Sequence, residues 1–161
     1  MKNNLLAIIV VFVVALSGTG CLKSDGTGTC TDKLVSSEAP LMQSYAISHS
    51  MTVNTHPSGI MYQVINPGSA VVPTGSSKIF VKYTGRYVSN DNIFDQQNNS
   101  AATGWILNTL IPAWQIGLPL IGEGGIVKLI VPSSLAYGCR GFASIPPDAI
   151  LYFEIELVDV Q

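Results

Sequence analysis

Side chains suited to bond-making chemistry are few in this chain, and none stands at a working spacing. Its two histidines, His49 and His56, lie N-terminal to the strand-like segments and near no cysteine. They read as exposed structural positions rather than metal ligands or general bases. There is no HExxH, no paired CxxC and no Walker loop. "PSSLAYG" is not a GxSxG nucleophile elbow, and Ser133 and Ser134 read as turn residues after Pro132. No metal or cofactor site is expected. Only 11% of the residues are charged and the net charge is −2. With no basic patch, nucleic acid and anionic lipid surfaces are poor partners.

What remains is a set of aromatics: Tyr83, Phe94, Trp105, Trp114, Tyr137 and Phe153. Taken singly, each reads equally well as ordinary core. As a group they sit at strand ends and in loops, where rings can line a concave apolar site with a few polar groups for orientation. Tyr137 lies in "LAYGCRGFASIPP", a stretch crowded with glycine, proline and aromatic residues.

The elements that must hold these rings are mostly strands. "SGIMYQVINPGS" alternates Ile60, Tyr62 and Val64 before an Asn66-Pro67-Gly68 turn. "SKIFVKYTGRYV" sets Ile79, Val81 and Tyr83 on one face and Phe80 and Lys82 on the other. "SNDN" interrupts, "IFD" resumes, and residues 96–104 form a polar loop. Pro112 starts a helix that Pro119 limits to about two turns. "GIVKLIVP" is a second strong strand. "AILYFEIELVDV" closes the chain with Leu151, Phe153, Ile155 and Leu157 on one face. Strands that do not alternate with long helices predict an α+β fold, an antiparallel sheet with one short helix packed on it. Upstream, Ser37 is a candidate cap for a helix over 38–51, with Leu41, Met42, Tyr45, Ala46 and Met51 sharing an apolar face. That helix either supports the domain or mediates dimerisation.

The N-terminus reads as an export signal. Lys2 precedes an apolar run from Leu5 to Leu16, shorter than the ~20 residues of a membrane span, and small residues follow. "LSGTGC" resembles a bacterial lipoprotein signal, with Gly18 where Leu is usual. This predicts a signal peptide over 1–20 and a lipidated Cys21, an acyl anchor being the only membrane attachment expected. Secretion with cleavage near Gly20 is the alternative. Residues 21–36, rich in Gly, Thr, Ser and Asp, read as a flexible tether, 37–56 as a helical extension and 57–161 as the main domain. The expected location is exported, membrane-anchored and facing the periplasm or cell surface. Cys30 and Cys139 then remain, either as one disulfide or as two unpaired thiols.

Over residues 57–161 the chain resembles the FKBP-type peptidyl-prolyl isomerases. "VKYTGRYVSNDNIFD" is similar to the family signature, in which Tyr-Thr-Gly precedes Phe-Asp. "LIPAWQ", "GLPLIGEGG", "VPSSLAYG", "IPPDAIL" and the final strand follow in register. The resemblance implies a twisted antiparallel sheet wrapped around a short helix, and cis–trans isomerisation of X–Pro bonds in Pro-containing polypeptides. It also implies immunosuppressant macrolides as inhibitors. By motif it implies an apolar pocket of Phe94, Trp105, Leu110, Trp114, Ile145 and Phe153, with Trp114 as the floor. The catalytic groups it implies are Tyr83, Asp95, the Tyr137 hydroxyl and the Ile111 N–H. Asp95 reads equally as a carboxylate that orients its neighbours. Ala113 replaces a family Gly, Trp105 a Phe, and "SNDN" an Asp-Gly turn.

An apolar pocket suits such a reaction. The barrier is amide resonance, and rotation costs ~18–20 kcal/mol. No covalent intermediate is required. A non-catalytic module that holds Pro-containing segments in the same pocket is the competing reading.

Overall fold

The computed structural model describes residues 29–161. The expected signal peptide, Cys21 and the first half of the expected tether lie outside the described residues. Helix α1 (Val35–Ser48) is followed by β1 (Asn54–Thr55), β2 (Met61–Asn66), β3 (Lys78–Tyr87), β4 (Ile93–Gln97) and β5 (Trp105–Ile106). Then come α2 (Pro112–Gly117), β6 (Ile126–Val131) and β7 (Leu151–Val160). The strands form one antiparallel sheet in the order β1-β2-β6-β7-β3-β4, and β5 pairs with β3. This is the expected α+β architecture, with an N-terminal helix added.

The period-two pattern sends the side chains of β2, β6 and β7 toward two different helices. On the inner face Ile79 and Val81, Val127, Leu129 and Val131, and Leu151, Phe153, Ile155 and Leu157 bury against α2. On the outer face Met61, Ile130 and Tyr152 bury against Met42, Tyr45 and Ala46 of α1. The residues between the expected apolar positions are thus the seat of the first helix. Farther along the outer face, Lys82 pairs with Glu156 and Lys128 with Glu154.

Close approach of α2 to the sheet rests on Gly117, where a Cβ would come within 2.5 Å of a Leu129 methyl. Pro112 occupies the first turn of α2, and a 3-10 turn at Leu118–Leu120 carries Pro119. The bulge between Phe80 and Val81 leaves the Val81 N–H to donate to the Thr103 hydroxyl, 2.9 Å away. The polar loop is thereby tied to β3.

Three N-terminal expectations are corrected. The helix starts and stops three residues earlier than expected. Ser37 lies inside it, with its N–H and hydroxyl donating to Leu34 O. Its end is a Schellman turn: Ser50 has φ 53°, Ser50 N–H donates to Ile47 O, and Met51 N–H to Ala46 O. Leu41 is 62% exposed rather than part of the buried face. The flexible tether does not reach residue 36. Cys30 is joined to Cys139 by a disulfide, and Asp32 accepts a hydrogen bond from Cys139 N–H at 2.8 Å.

"SNDN" forms a tight turn whose Asp91 serves α1. Its carboxylate accepts from the Tyr45 hydroxyl at 2.6 Å and stands 3.4 Å from His49 Nε2. Arg86 donates to the Asp91 carbonyl at 2.8 Å.

The disulfide closes a loop with a sequence separation of 109. Chain-entropy reasoning gives such a closure up to about 5 kcal/mol. A Cys30→Ser/Cys139→Ser variant is expected to lose about 2–4 kcal/mol, read as a lower denaturant midpoint at unchanged slope. An unchanged midpoint would show that the cross-link adds nothing to stability.

Candidate functional site

The β3–β4 hairpin supplies three cleft residues, and one glycine makes their arrangement possible. Gly85 pairs with Asp95 on one side and Phe153 on the other. A Cβ at Gly85 would meet the Phe94 ring at 2.6 Å and the Phe153 ring at 3.1 Å. Only glycine lets both rings close over the strand. Phe94 and Phe153 then meet edge to face, with centroids 5.7 Å apart at 86°.

Trp114 lies beneath them at the start of α2, 4% exposed. Tyr83 and Phe153 approach it edge-on, with centroids at 5.1 and 5.5 Å. Trp105, on β5, packs against it at 6.2 Å. Such edge-to-face contacts satisfy the quadrupoles of the rings and fix their orientation. The Trp114 indole N–H is buried with no partner among the described residues.

A cavity of about 360 Å³ opens above this floor. Its lining is Tyr83, Phe94, Asp95, Trp105, Thr109, Leu110, Ile111, Trp114, Tyr137 and Phe153. Of the ten pocket residues expected from the sequence, the structure brings together nine. Ile145 is the exception. Its backbone bridges Phe142 and its side chain, 8% exposed, packs in the core cluster, so it supports the lip from below instead of lining the cavity. Thr109 was missed. Its neighbours in "LIPAWQ" were the available signal. Its hydroxyl donates to Ile106 O at 2.7 Å. Gln115 braces the same segment from α2, donating to Leu110 O at 2.7 Å and to Asn108 O at 3.2 Å.

Polar groups border the aromatic floor. Ile111 is the N-cap of α2, extended as a residue before proline must be. Its carbonyl accepts from Trp114 and Gln115 N–H, while its own N–H enters no backbone bond among the described residues. The Tyr83 hydroxyl donates to Asp95 Oδ2 at 2.6 Å. Burial, and then this hydrogen bond to Asp95, push the Tyr83 phenol well above the ordinary tyrosine range. Burial, and then the Asp95 charge, push Tyr137 up as well. Both phenols are therefore protonated donors throughout the neutral range. Tyr137 stacks on Phe142, with centroids 5.5 Å apart at 13°. The site is an apolar bowl with an N–H, two phenols and one carboxylate, fitted to hold and orient a neutral group without attacking it.

Residues 70–158 match the family model described as FKBP-type peptidyl-prolyl cis-trans isomerase. Over 109 residues the chain is 35% identical to the FKBP-type peptidyl-prolyl cis-trans isomerase FkpA of Escherichia coli K12, covering 68% of this chain and 40% of that protein. It is 38% identical over 113 residues to the FKBP-type 22 kDa peptidyl-prolyl cis-trans isomerase of the same organism, covering 67% and 53%. The chain thus spans about half the length of these relatives or less. The crystal structure of a peptidyl-prolyl cis-trans isomerase from Pseudomonas syringae pv. tomato superposes with a TM-score of 0.64 at 27% identity. That match covers 81% of this chain and 98% of the other.

The raised phenols carry a pH signature. In an ultraviolet absorbance titration, Tyr83 and Tyr137 should ionise above the usual tyrosine range of about pH 10, as should Tyr45 and Tyr152, which burial and the neighbouring Asp91 and Glu154 also push up. A folded pKa above the unfolded one lends stability that is complete below about pH 10 and is lost as the pH rises through the folded value. Asp95→Asn should move the Tyr83 and Tyr137 transitions down, leave the part due to burial, and leave Tyr45 and Tyr152 where they are. Tyr83 and Tyr137 transitions that stay put in that variant would remove Asp95 as a cause.

Proposed function

Because the chain belongs to the FKBP-type peptidyl-prolyl cis-trans isomerase family, we propose that it accelerates rotation about X–Pro bonds in exported polypeptides. The observation that carries this reading is the convergence of Tyr83, Phe94, Trp105 and Phe153 around the Trp114 floor, with donors at the rim. The planar imide is stabilised by charge separation that water supports. Moving the prolyl ring into the aromatic bowl withdraws that support and favours the twisted bond. The Ile111 N–H and the Tyr137 hydroxyl hold the carbonyl in its rotated position better than in its planar one. Only such a difference between the two states lowers the barrier. Phe94, Trp105, Leu110, Trp114 and Phe153 grip the proline. Asp95 acts through Tyr83, since one of its carboxylate oxygens already accepts from that phenol. The pocket is also the place where an immunosuppressant macrolide would bind and inhibit.

Two features support an exported protein, and the first of them a lipid anchor. One is the leader with its "LSGTGC" ending before the described residues. The other is the Cys30–Cys139 disulfide, a bond that persists in oxidising compartments. An acyl chain on Cys21 would hold the domain at a membrane while it meets newly translocated chains. Fatty-acid label should enter the wild-type protein and be absent from Cys21→Ser; equal labelling would refute the anchor.

The purified protein should shorten the cis–trans relaxation of X–Pro peptides. Tyr137→Phe removes one neutral hydrogen bond and should lower kcat/KM about two- to tenfold. Phe94→Ala removes apolar contact and should lower it tenfold or more, roughly. Binding of the peptides without any acceleration would replace the enzyme reading with that of a module that only holds prolyl segments. Unchanged rates in both variants would move the active site elsewhere.

A further inference from the structure

The chain just before and within α1 touches the segment that carries Tyr137 at both of its ends. At the near end, the Glu38 carboxylate accepts from Ser133 N–H at 2.9 Å and from the Ser133 hydroxyl at 2.7 Å. Both residues are buried, at 3% and 0% exposure. At the far end, Cys139 is bonded covalently to Cys30, and its N–H donates to Asp32 Oδ1 at 2.8 Å. Gly138 has φ 59°, and a Cβ there would run into Asp32 Oδ1, so the Asp32 carboxylate lies directly against the backbone immediately after Tyr137. Lys33 also reaches Asp148, at 3.5 Å. Asp148 N–H donates to Gly138 O, so this contact closes the same loop.

We infer that residues 30–38 form a strap that sets the position of Tyr137 in the cleft, with Asp32 and Glu38 as its positioning residues. The inference rests on the cleft being the site of isomerisation, as proposed above.

Leu135, Ala136 and Tyr137 pack partly against the core cluster, but few long-range bonds fix the backbone of the segment. Residues 133–140 belong to no strand and consist of two 3-10 turns, Ser133–Leu135 and Gly138–Arg140. Their backbone bonds are mostly short-range, Leu135 to Pro132, Ala136 to Ser133 and Gly141 to Tyr137. The ring that stacks on Tyr137, Phe142, is itself 65% exposed and anchors nothing. By contrast, the strap's bonds to Ser133 and Cys139 span sequence separations of 95 and 107 and tie the segment to a different layer of the fold. The Lys33 pair is half exposed and adds little. The carboxylate bonds and the disulfide carry the effect, because they are short, directed and fixed at one end by α1. A donor that must meet a carbonyl only in its rotated position needs such placement, since small displacements cost rate without loss of fold.

The test uses the full chain with its disulfide intact and a short X–Pro peptide. Asp32→Ala is expected to lower kcat/KM about tenfold, mostly in kcat. Asp32→Asn should restore it, because the amide oxygen can still accept from Cys139 N–H. In a Tyr137→Ala background, Asp32→Ala should cause no further loss. Fluorine NMR of the 3-fluorotyrosine-labelled protein supplies a readout independent of activity. The Tyr137 resonance, assigned by its absence in Tyr137→Phe, should move in Asp32→Ala and return in Asp32→Asn while that of Tyr62 stays fixed. The strap is refuted by a kcat/KM within about twofold of wild type together with an unmoved Tyr137 resonance. It is equally refuted by an undiminished loss in the Tyr137→Ala background. A wild-type protein that fails to accelerate isomerisation would instead overturn the proposed function, and the fluorine spectrum would still decide the strap.

Discussion

The contact on which the cleft depends is the crossing of α2 with the inner face of the sheet, where Trp114 is buried. A helix that begins at Pro112 and gives way at Leu118 is too short to be stable alone, so its place is set by packing. Gly117 lets it settle on Leu129, and that depth puts Trp114 under Tyr83 from β3 and Phe153 from β7. Those two strands are directly paired, so the rings inherit the register of the sheet. Ala113, where the resembling family carries glycine, is fully buried in the same cluster and is accommodated there. A shallower helix would leave a gap under the bowl, and the edge-to-face contacts that orient its rings would be lost.

The sheet is buried on its second face as well, and this joins the N-terminal extension to the domain. Met42, Tyr45 and Ala46 cover Met61, Ile130 and Tyr152. Two polar contacts direct that packing: Tyr45 to Asp91 at the β3–β4 turn, and Glu38 to Ser133 after β6. The first lands on the hairpin that carries Tyr83, Phe94 and Asp95, the second on the segment that leads to Tyr137. The extension is therefore a third layer, tied to the two connections that lead into the cleft.

The strands and most of the pocket were legible in the sequence because both follow from side-chain type. Alternation marked Ile79, Val81 and Tyr83 as one face, and ordered motifs marked nine lining residues. Met61, Ile130 and Tyr152 were apolar too, but a period-two reading places them on the solvent face unless a second helix is known to lie there. The ends of α1 were misplaced because Ser37 resembles a cap. The real stop is the backbone geometry at Ser50, a left-handed residue other than glycine. Ile145 illustrates a different limit. Motif position carried it into the pocket, while the Phe142–Ile145 bridge turns its side chain into the core. The pairing of Cys30 with Cys139 was undecidable, since proximity across so long a separation is a property of the folded chain.

The cleft divides into parts that hold themselves and parts that must be held. Tyr83, Phe94 and Phe153 stand on paired strands, where each residue is fixed by its neighbours. Leu110, Ile111 and Tyr137 stand on irregular segments. Ordering such a residue costs about 1–2 kcal/mol of backbone entropy. A neutral side-chain bond to the backbone returns only about 1 kcal/mol. The bonds from Gln115 to Leu110 O and from Thr109 to Ile106 O offset only part of the cost of their own short loop, and the helix it leads into braces the rest. The loop from Tyr137 to Asp148 is longer and has one comparable bond from the sheet, Tyr87 to Ser144 O. By this comparison local bonds alone would leave that lip loose. What changes the balance is attachment from far along the chain: a carboxylate accepting two bonds in a dry setting at Ser133, and a covalent closure at Cys139. The two lips of one pocket are rigid for different reasons, one from the helix it leads into and the other from a segment that the chain made about a hundred residues earlier.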